Sequence, residues 1–218
     1  MEPGIPTLRT PDALSRHLED RLQGQDVLIV EICGVAGSGK TTLCGQIIAA
    51  SSVNAVRLDC DRFSTHSHTE RQALIAEARR SGIAEHMAFI ENPMNWYSFD
   101  HILAALDDLK NKRIHTHDRA WNRETGELDG RYQVRIAEDG PALILCDCIY
   151  LLHPAVRTAL DLVVLVETPA EIVAERGLQR SKGDAARAAV MESLRRTYSV
   201  PYFETFGSRA DIVYQAET

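Results

Sequence analysis

Residues 34–41 read Gly-Val-Ala-Gly-Ser-Gly-Lys-Thr, a complete G-x-x-x-x-G-K-[ST] motif, and no other stretch so narrows the folds open to this chain. Upstream, Val27-Leu-Ile-Val-Glu-Ile-Cys33 is an apolar, β-branched run suited to a buried parallel strand. Downstream, residues 41–50 have helix-forming composition with apolar Leu43, Ile47 and Ile48. Strand, loop and helix in that order give the motif its structural context. Gly34, Gly37 and Gly39 allow backbone conformations that a Cβ would forbid, so N–H groups along Gly34, Val35, Ala36, Gly37, Ser38 and Gly39 can turn inward. The helix that follows offers its positive N-terminal end to phosphate. Lys40 supplies a mobile cation for the β and γ phosphates, Thr41 a hydroxyl for Mg²⁺, and Thr42 extends the contact into the helix. The motif implies a bound nucleoside triphosphate.

The rest of the chain alternates strands with helices. Thr10-Pro11-Asp12 opens a helix over 13–22, with Thr as cap and Pro at the first helical position. A second strand covers 53–58, helices cover 69–80 and 98–110, and turn signals between short strand-like pieces predict a small hairpin over 113–137. Residues 142–146 and 162–166 read as two more buried strands, followed by helical stretches near 169–180 and 185–206 and a last strand over 211–214. This alternation predicts an α/β fold with a doubly wound parallel sheet, whose ligand lies beyond the carboxyl ends of the strands. At 218 residues the chain suits one such domain.

Composition bounds the partners. The net charge of −7 argues against broad nucleic-acid binding, which needs a basic footprint. No apolar run approaches membrane-spanning length. The five cysteines include no C-x-x-C pair, so reduced thiols in a cytoplasmic protein are expected. Met-Glu-Pro-Gly-Ile-Pro at the start lacks the basic and apolar segments of a secretion signal. His66-x-His68, His115-x-His117 and Cys146-x-Cys148 have no recognised zinc spacing, and no zinc site is expected.

Acidic residues at strand ends are the catalytic candidates. Asp147 follows the strand 142–146 in a Walker B arrangement and could hold Mg²⁺ directly or through water. Asp59 and Asp61 follow the second strand, where a carboxylate could orient an acceptor hydroxyl and take its proton. The residues alone leave the choice between these two open.

Together these pieces resemble the uridine kinase and phosphoribulokinase-like group of P-loop small-molecule kinases. The resemblance runs through Gly34 to Thr42, Leu58-Asp-Cys-Asp-Arg-Phe63, Asn92-Pro93 to Phe99-Asp100, His117-Asp118-Arg119, Asp147, the arginines of Glu175-Arg-Gly-Leu-Gln-Arg-Ser-Lys182, Pro201-Tyr-Phe and Ala210-Asp-Ile-Val213. It implies a three-layer sandwich with a hairpin insertion and a helical lid at about 175–187. The nucleotide core would comprise 24–60 and 138–218, and the acceptor region about 61–137. It further implies ATP and Mg²⁺ as cofactors, Asp61 as catalytic base, Thr41 and Asp147 with Asp61 near the metal, and Lys40, Arg176 and Arg180 around the transferring phosphate. Asp59, Arg62, Phe63, Asn95, Tyr97, His117 and Asp118 would face the acceptor. A homo-oligomer is compatible with the resemblance.

The acceptor segments depart from that group. Asn95 stands near its Pro-Asp-Ala aspartate, His117 replaces its tyrosine, and Asp147-Cys148 replaces its Glu-Gly. The expected activity is ATP-dependent phosphorylation of a small-molecule hydroxyl, with a uridine- or cytidine-like nucleoside first among acceptors. The alternatives are a non-nucleoside such as pantothenate, glycerate, a sugar or a vitamin precursor, and a non-catalytic nucleotide-binding regulator. An N-K-x-D guanine signature is missing, because Asn111-Lys-Arg-Ile114 breaks it at its last position.

Overall fold

The apolar runs of the sequence become the inner strands of a six-stranded sheet. The computed structural model describes residues 5–216; Met1–Gly4, which open the segment read above for a secretion signal, and the last two residues lie outside the described residues. Its strands are β1 (Thr7–Leu8), β2 (Val27–Cys33), β3 (Asn54–Asp59), β4 (Ile114–Ala120), β5 (Gly130–Arg135), β6 (Ala142–Asp147), β7 (Leu162–Glu167) and β8 (Ile212–Gln215). Its helices are α1 (Pro11–Leu22), α2 (Lys40–Ala50), α3 (His68–Ser81), α4 (Ala84–Glu91), α5 (Phe99–Lys112), α6 (Pro154–Arg157), α7 (Ala170–Arg180), α8 (Ala185–Leu194) and α9 (Val200–Phe206). The chain divides into two units, one made of residues up to Leu58 and from Ile136 onward, the other Asp59–Arg135.

In the first unit the strand order is β1-β8-β7-β2-β6-β3. β2 and β6 are buried at every position, as strands covered on both faces must be. β2 pairs in parallel with β6 and β7, and its register sets Ile32 opposite Asp147 and Val30 opposite Leu162. That register makes Asp147 leave the sheet beside the point where the phosphate loop begins. One face carries Leu28, Val30, Ile32, Leu143, Leu145 and Val164 against Leu14 and Leu18 of α1 and Leu43 and Ile47 of α2. Removing these side chains from water is the main stabilising contribution to the unit, at about 1.5–3 kcal/mol for each fully buried aliphatic residue. The alternate residues of β2 point to the other face, and among them Glu31 is completely buried. Its Oε1 accepts a hydrogen bond from Leu151 N–H at 3.0 Å. Burial pushes the Glu31 carboxyl well above the usual carboxylate range, against the smaller opposing effect of that hydrogen bond.

β1 was not foreseen: two residues pair in parallel with Val213 and Tyr214 of β8 at the sheet edge. The stretch 185–206, read as one helical run, is α8 and α9 joined through a π-helical turn, Arg195–Ser199, beside Pro201. A proline lacks the N–H that would continue the α ladder there. No helix among the described residues is long and apolar enough to cross a membrane.

The second unit is built on a different plan. α5 presents Ile102, Ala105, Leu106 and Leu109 to its interior. β4 and β5 pair antiparallel, with a register shift between His117 and Ala120. Gly130 sits at that irregularity because a Cβ there would lie 2.8 Å from the Ala120 carbonyl oxygen. α3 starts at Ser67 with a capping box: Glu70 N–H donates to Ser67 Oγ, and Ser67 N–H donates to Glu70 Oε2.

Candidate active site

The phosphate loop takes the shape its glycines permit. Gly34, Gly37 and Gly39 have φ of 144°, 93° and 100°. A Cβ on Gly34 would meet the Val166 carbonyl oxygen at 2.6 Å and Ser38 Oγ at 2.7 Å, so the requirement there is spatial as well as torsional. Ser38 Oγ is buried without a hydrogen-bond partner among the described residues. Two loop carbonyls are held from outside: Thr168 Oγ1 donates to Ser38 O at 2.8 Å, and Arg176 Nη1 donates to Gly37 O at 3.2 Å. Lys40 opens α2 and folds back, its Nζ donating to Gly34 O at 2.9 Å and Val35 O at 3.1 Å.

Beside the loop, Thr41 Oγ1 donates to Asp147 Oδ2 at 2.6 Å. Two hard oxygen donors held this close, one of them a carboxylate, suit a small divalent cation. Arg57 Nε also donates to Asp147 Oδ2, at 2.9 Å. Sequence reading missed Arg57, because its partner lies 90 residues away and only β3 packing beside β6 joins them. A cavity of 610 Å³ adjoins the loop, lined by Gly39, Thr42, Gln46, Thr168, Arg180 and Tyr214 among others. Arg176 borders it too, so the two arginines of α7 face the same space. The loop, the Thr41–Asp147 pair and this cavity can seat the phosphates, a metal ion and the base and sugar of a nucleotide.

In the second unit the carboxylates form a linked cluster. Asp61 is partly exposed and bonded at both oxygens: Tyr97 Oη donates to Oδ1 at 3.0 Å and Arg123 Nη2 to Oδ2 at 3.1 Å. Arg123 Nη2 also donates to Asp59 Oδ1 at 3.0 Å, and Arg62 Nε donates to Asp59 Oδ2 at 3.2 Å. Asp59 is buried, and its N–H donates to Tyr132 Oη at 2.8 Å. The exposed carboxylate able to meet a hydroxyl is therefore Asp61, with Asp59 anchoring the cations around it. Arg123 had no motif to mark it; the turn-rich segment between β4 and β5 was its only signal.

Other residues read as acceptor contacts stand differently. Phe63 is fully buried, its ring 5.0 Å from that of His117 and 6.1 Å from that of Tyr132, so it fills core rather than presenting a face. Asp118 points outward from β4 and pairs with Arg131 at 3.3 Å, because it follows inward-facing His117 on a strand. His117 packs between Phe63 and His101, and burial lowers its pKa below the usual histidine value. Asn95 Nδ2 donates to Phe89 O at 2.9 Å.

The phosphoribulokinase/uridine kinase family model matches residues 29–216. The chain belongs to the phosphoribulokinase/uridine kinase family. It is a phosphotransferase of the small-molecule kinase class, acting on a hydroxyl group. No curated protein sequence matches it. Among solved structures it is similar to a protein from Silicibacter sp. TM1040 described as a candidate fructose transport system kinase, at 19% identity and TM-score 0.64, with 94% of this chain and 99% of that one covered. It is also similar to a protein from Bacillus stearothermophilus described as a possible uridine kinase, at 19% identity and TM-score 0.62, covering 94% and 96%. D-glycerate 3-kinase from Cryptococcus neoformans var. grubii follows at 15% identity and TM-score 0.53, covering 90% and 86%. These likenesses bear on the fold, an α/β sandwich with a mostly parallel sheet and helices on both sides.

Proposed function

We propose that this family member transfers the γ-phosphoryl group of ATP, with Mg²⁺, to a hydroxyl of a small non-nucleoside metabolite. The observation that carries this reading is the Thr41–Asp147 pair at the mouth of a complete phosphate loop. The unpartnered Ser38 hydroxyl and the three positive-φ glycines speak for a phosphate guest, and the paired oxygens of Thr41 and Asp147 for the metal. When bound, Mg²⁺ neutralises developing phosphate charge. Lys40 leaves the loop carbonyls for the phosphates, while Arg176 and Arg180 stabilise charge spreading over the transferring group. Asp61 accepts the proton of the acceptor hydroxyl as its oxygen bonds to the γ-phosphorus and the bond to the β–γ bridging oxygen breaks, releasing ADP.

A uridine-like acceptor needs free amide or aromatic groups to read its base. In the acceptor unit the obvious candidates are engaged: Trp96 Nε1 donates to Ile90 O, Trp121 Nε1 to Gly126 O, Asn95 to Phe89 O, and Arg71 covers the Trp96 ring at 4.2 Å. These engagements favour a non-nucleoside hydroxyl over the nucleoside that family resemblance puts first. The five cysteines are buried and in no disulfide, which is consistent with a cytoplasmic setting. The presence of Lys40, Thr41, Asp61 and Asp147 in one chain weighs against a non-catalytic regulator.

A coupled ADP-release screen over nucleosides, pantothenate, glycerate, sugars and sugar phosphates tests the proposal. Acceptor-dependent ADP release that requires Mg²⁺ is expected. Release that never exceeds the acceptor-free rate would overturn it.

A further inference from the structure

We propose that the acceptor carries an oxyanion, a carboxylate or a phosphate, within a few bonds of the phosphorylated hydroxyl, and that Arg123 selects it. This rests on the kinase reading above and names the class of compound its acceptor site takes.

The argument starts from what Arg123 has left to give. One of its nitrogens, Nη2, serves both Asp59 and Asp61. Its Nε and Nη1 have no hydrogen-bond partner among the described residues, and the side chain is 44% exposed. Three N–H donors of a permanent cation thus face solvent next to the carboxylate assigned as base. Arg62 provides the contrast. Its Nε is spent on Asp59, its Nη1 on Trp121 O at 3.0 Å, and its Cζ lies 5.8 Å from the Tyr132 ring centre. Arg71 is turned away from solvent, its Nη2 donating to Ser64 Oγ and His66 O, its guanidinium over the Trp96 ring and its Nε buried. Of the two arginines bonded to Asp59, Arg123 is the more exposed, at 44% against 31%, and the one that also bonds Asp61.

The segment that carries it is built to hold it still. Trp121 N–H donates to Arg62 O at 2.9 Å, Asn122 N–H to Glu127 O at 2.8 Å, and Gly126 N–H to Asn122 O at 2.8 Å. Glu124 N–H donates to Asn122 Oδ1 at 2.9 Å, and His68 N–H donates to Gly126 O at 2.7 Å. A fixed guanidinium binds an anion without first losing its own freedom. Its position also suits the chemistry, because the cation stands beside Asp61 and offsets repulsion between that base and an acidic acceptor. A neutral polyol or nucleoside would leave those donors to water and gain nothing from the charge. A hydroxy acid or a sugar phosphate satisfies both groups at once, hydroxyl to Asp61 and oxyanion to Arg123.

The test compares matched pairs on the full-length protein: glycerate against glycerol, and a pentose 5-phosphate against the free pentose. Wild type should prefer the charged member of at least one pair in kcat/KM, the pair identifying carboxylate or phosphate. Arg123→Gln should erase about ten- to hundredfold of that preference, the range for a charged hydrogen bond, mainly through KM. Arg123→Lys should restore part of it. A merely structural role for Arg123 would lower turnover of both members equally, leaving the ratio unchanged, and that result would overturn the proposal, as would a wild-type preference for the neutral members. Thermal shift with the same four compounds separates the two readings. If neither these compounds nor any in the ADP-release screen is turned over, the kinase assignment fails; the oxyanion assignment then stands or falls on whether a charged compound raises Tm in wild type and not in Arg123→Gln.

Discussion

Tyr97 and Arg123 bind opposite oxygens of Asp61, one through a phenol at 3.0 Å and the other through a guanidinium at 3.1 Å. A carboxylate gripped on both sides has a fixed plane, and a lone pair aimed in a fixed direction is what proton abstraction requires. Asp61→Asn keeps the shape and an accepting oxygen for Arg123, turns its NH2 toward the Tyr97 hydroxyl, which can accept, and removes the base. Nucleotide affinity, read by calorimetry, should stay within about twofold, and phosphoryl transfer should fall by roughly 10²–10⁴. Wild-type turnover in this variant would remove Asp61 from the chemistry.

The metal pair gives a second prediction. Thr41→Ala deletes the hydroxyl bonded to Asp147 Oδ2. The Mg²⁺ concentration for half-maximal rate should rise by about ten- to hundredfold, as it does when groups around a metal are lost. Excess Mg²⁺ should recover most of the rate. A magnesium curve superimposable on wild type would exclude Thr41 as a ligand.

Gly34 should tolerate no side chain. Gly34→Ala forces a Cβ against the Val166 carbonyl at a φ of 144°, a strain on the order of 1–3 kcal/mol. Lowered Tm together with weakened nucleotide binding is expected. Gly140→Ala provides the control, since its φ is 81° and nothing lies within 4 Å of the added methyl. Equal losses in the two variants would show that the torsion, not the contact with Val166, limits position 34.

Glu31 predicts a pH dependence of stability. Burial raises its pKa in the folded state, so folding favours the protonated form. Its stabilising contribution is complete below the unfolded carboxyl value of about 4.3 and is lost as pH climbs through the folded value. Glu31→Gln retains an oxygen for Leu151 N–H and cannot ionise. Its Tm should gain on wild type as pH rises from 4 upward. Two parallel Tm curves would mean that Glu31 stays neutral, or stays charged, over the whole range.

Much of the fold could be read from β2, β6 and β7, whose apolar runs, interrupted in β2 by Glu31 alone, admit little but buried parallel strands, and from caps such as Thr10-Pro11, which accepts from Ala13 N–H. β1 escaped because Thr7–Leu8 owes its strand state to β8, not to its own composition. α4 escaped because none of its residues is buried, leaving no apolar stripe to detect. At the site, the phosphate loop was legible because its chemistry is local. Arg57 and Arg123 were not, since each meets its carboxylate across 62 or more residues of chain. Glu31 was hidden by its neighbours: a single acid in Val-Leu-Ile-Val-Glu-Ile-Cys looks like an interruption, not a buried group.

The two outward tethers on Ser38 O and Gly37 O carry a last consequence. A peptide unit has two faces, and a half-turn about its axis would swap an inward N–H for an inward carbonyl, converting an anion receptor into an anion repeller. Thr168 holds the peptide that carries Gly39 N–H against such a flip, and Arg176 holds the one whose Ser38 N–H already donates to Val35 O, both from more than 120 positions downstream. Any displacement of α7 that breaks the Arg176 contact therefore frees the Gly37 carbonyl. The loop's shape is thus set partly from outside its motif, by residues that no local pattern marks.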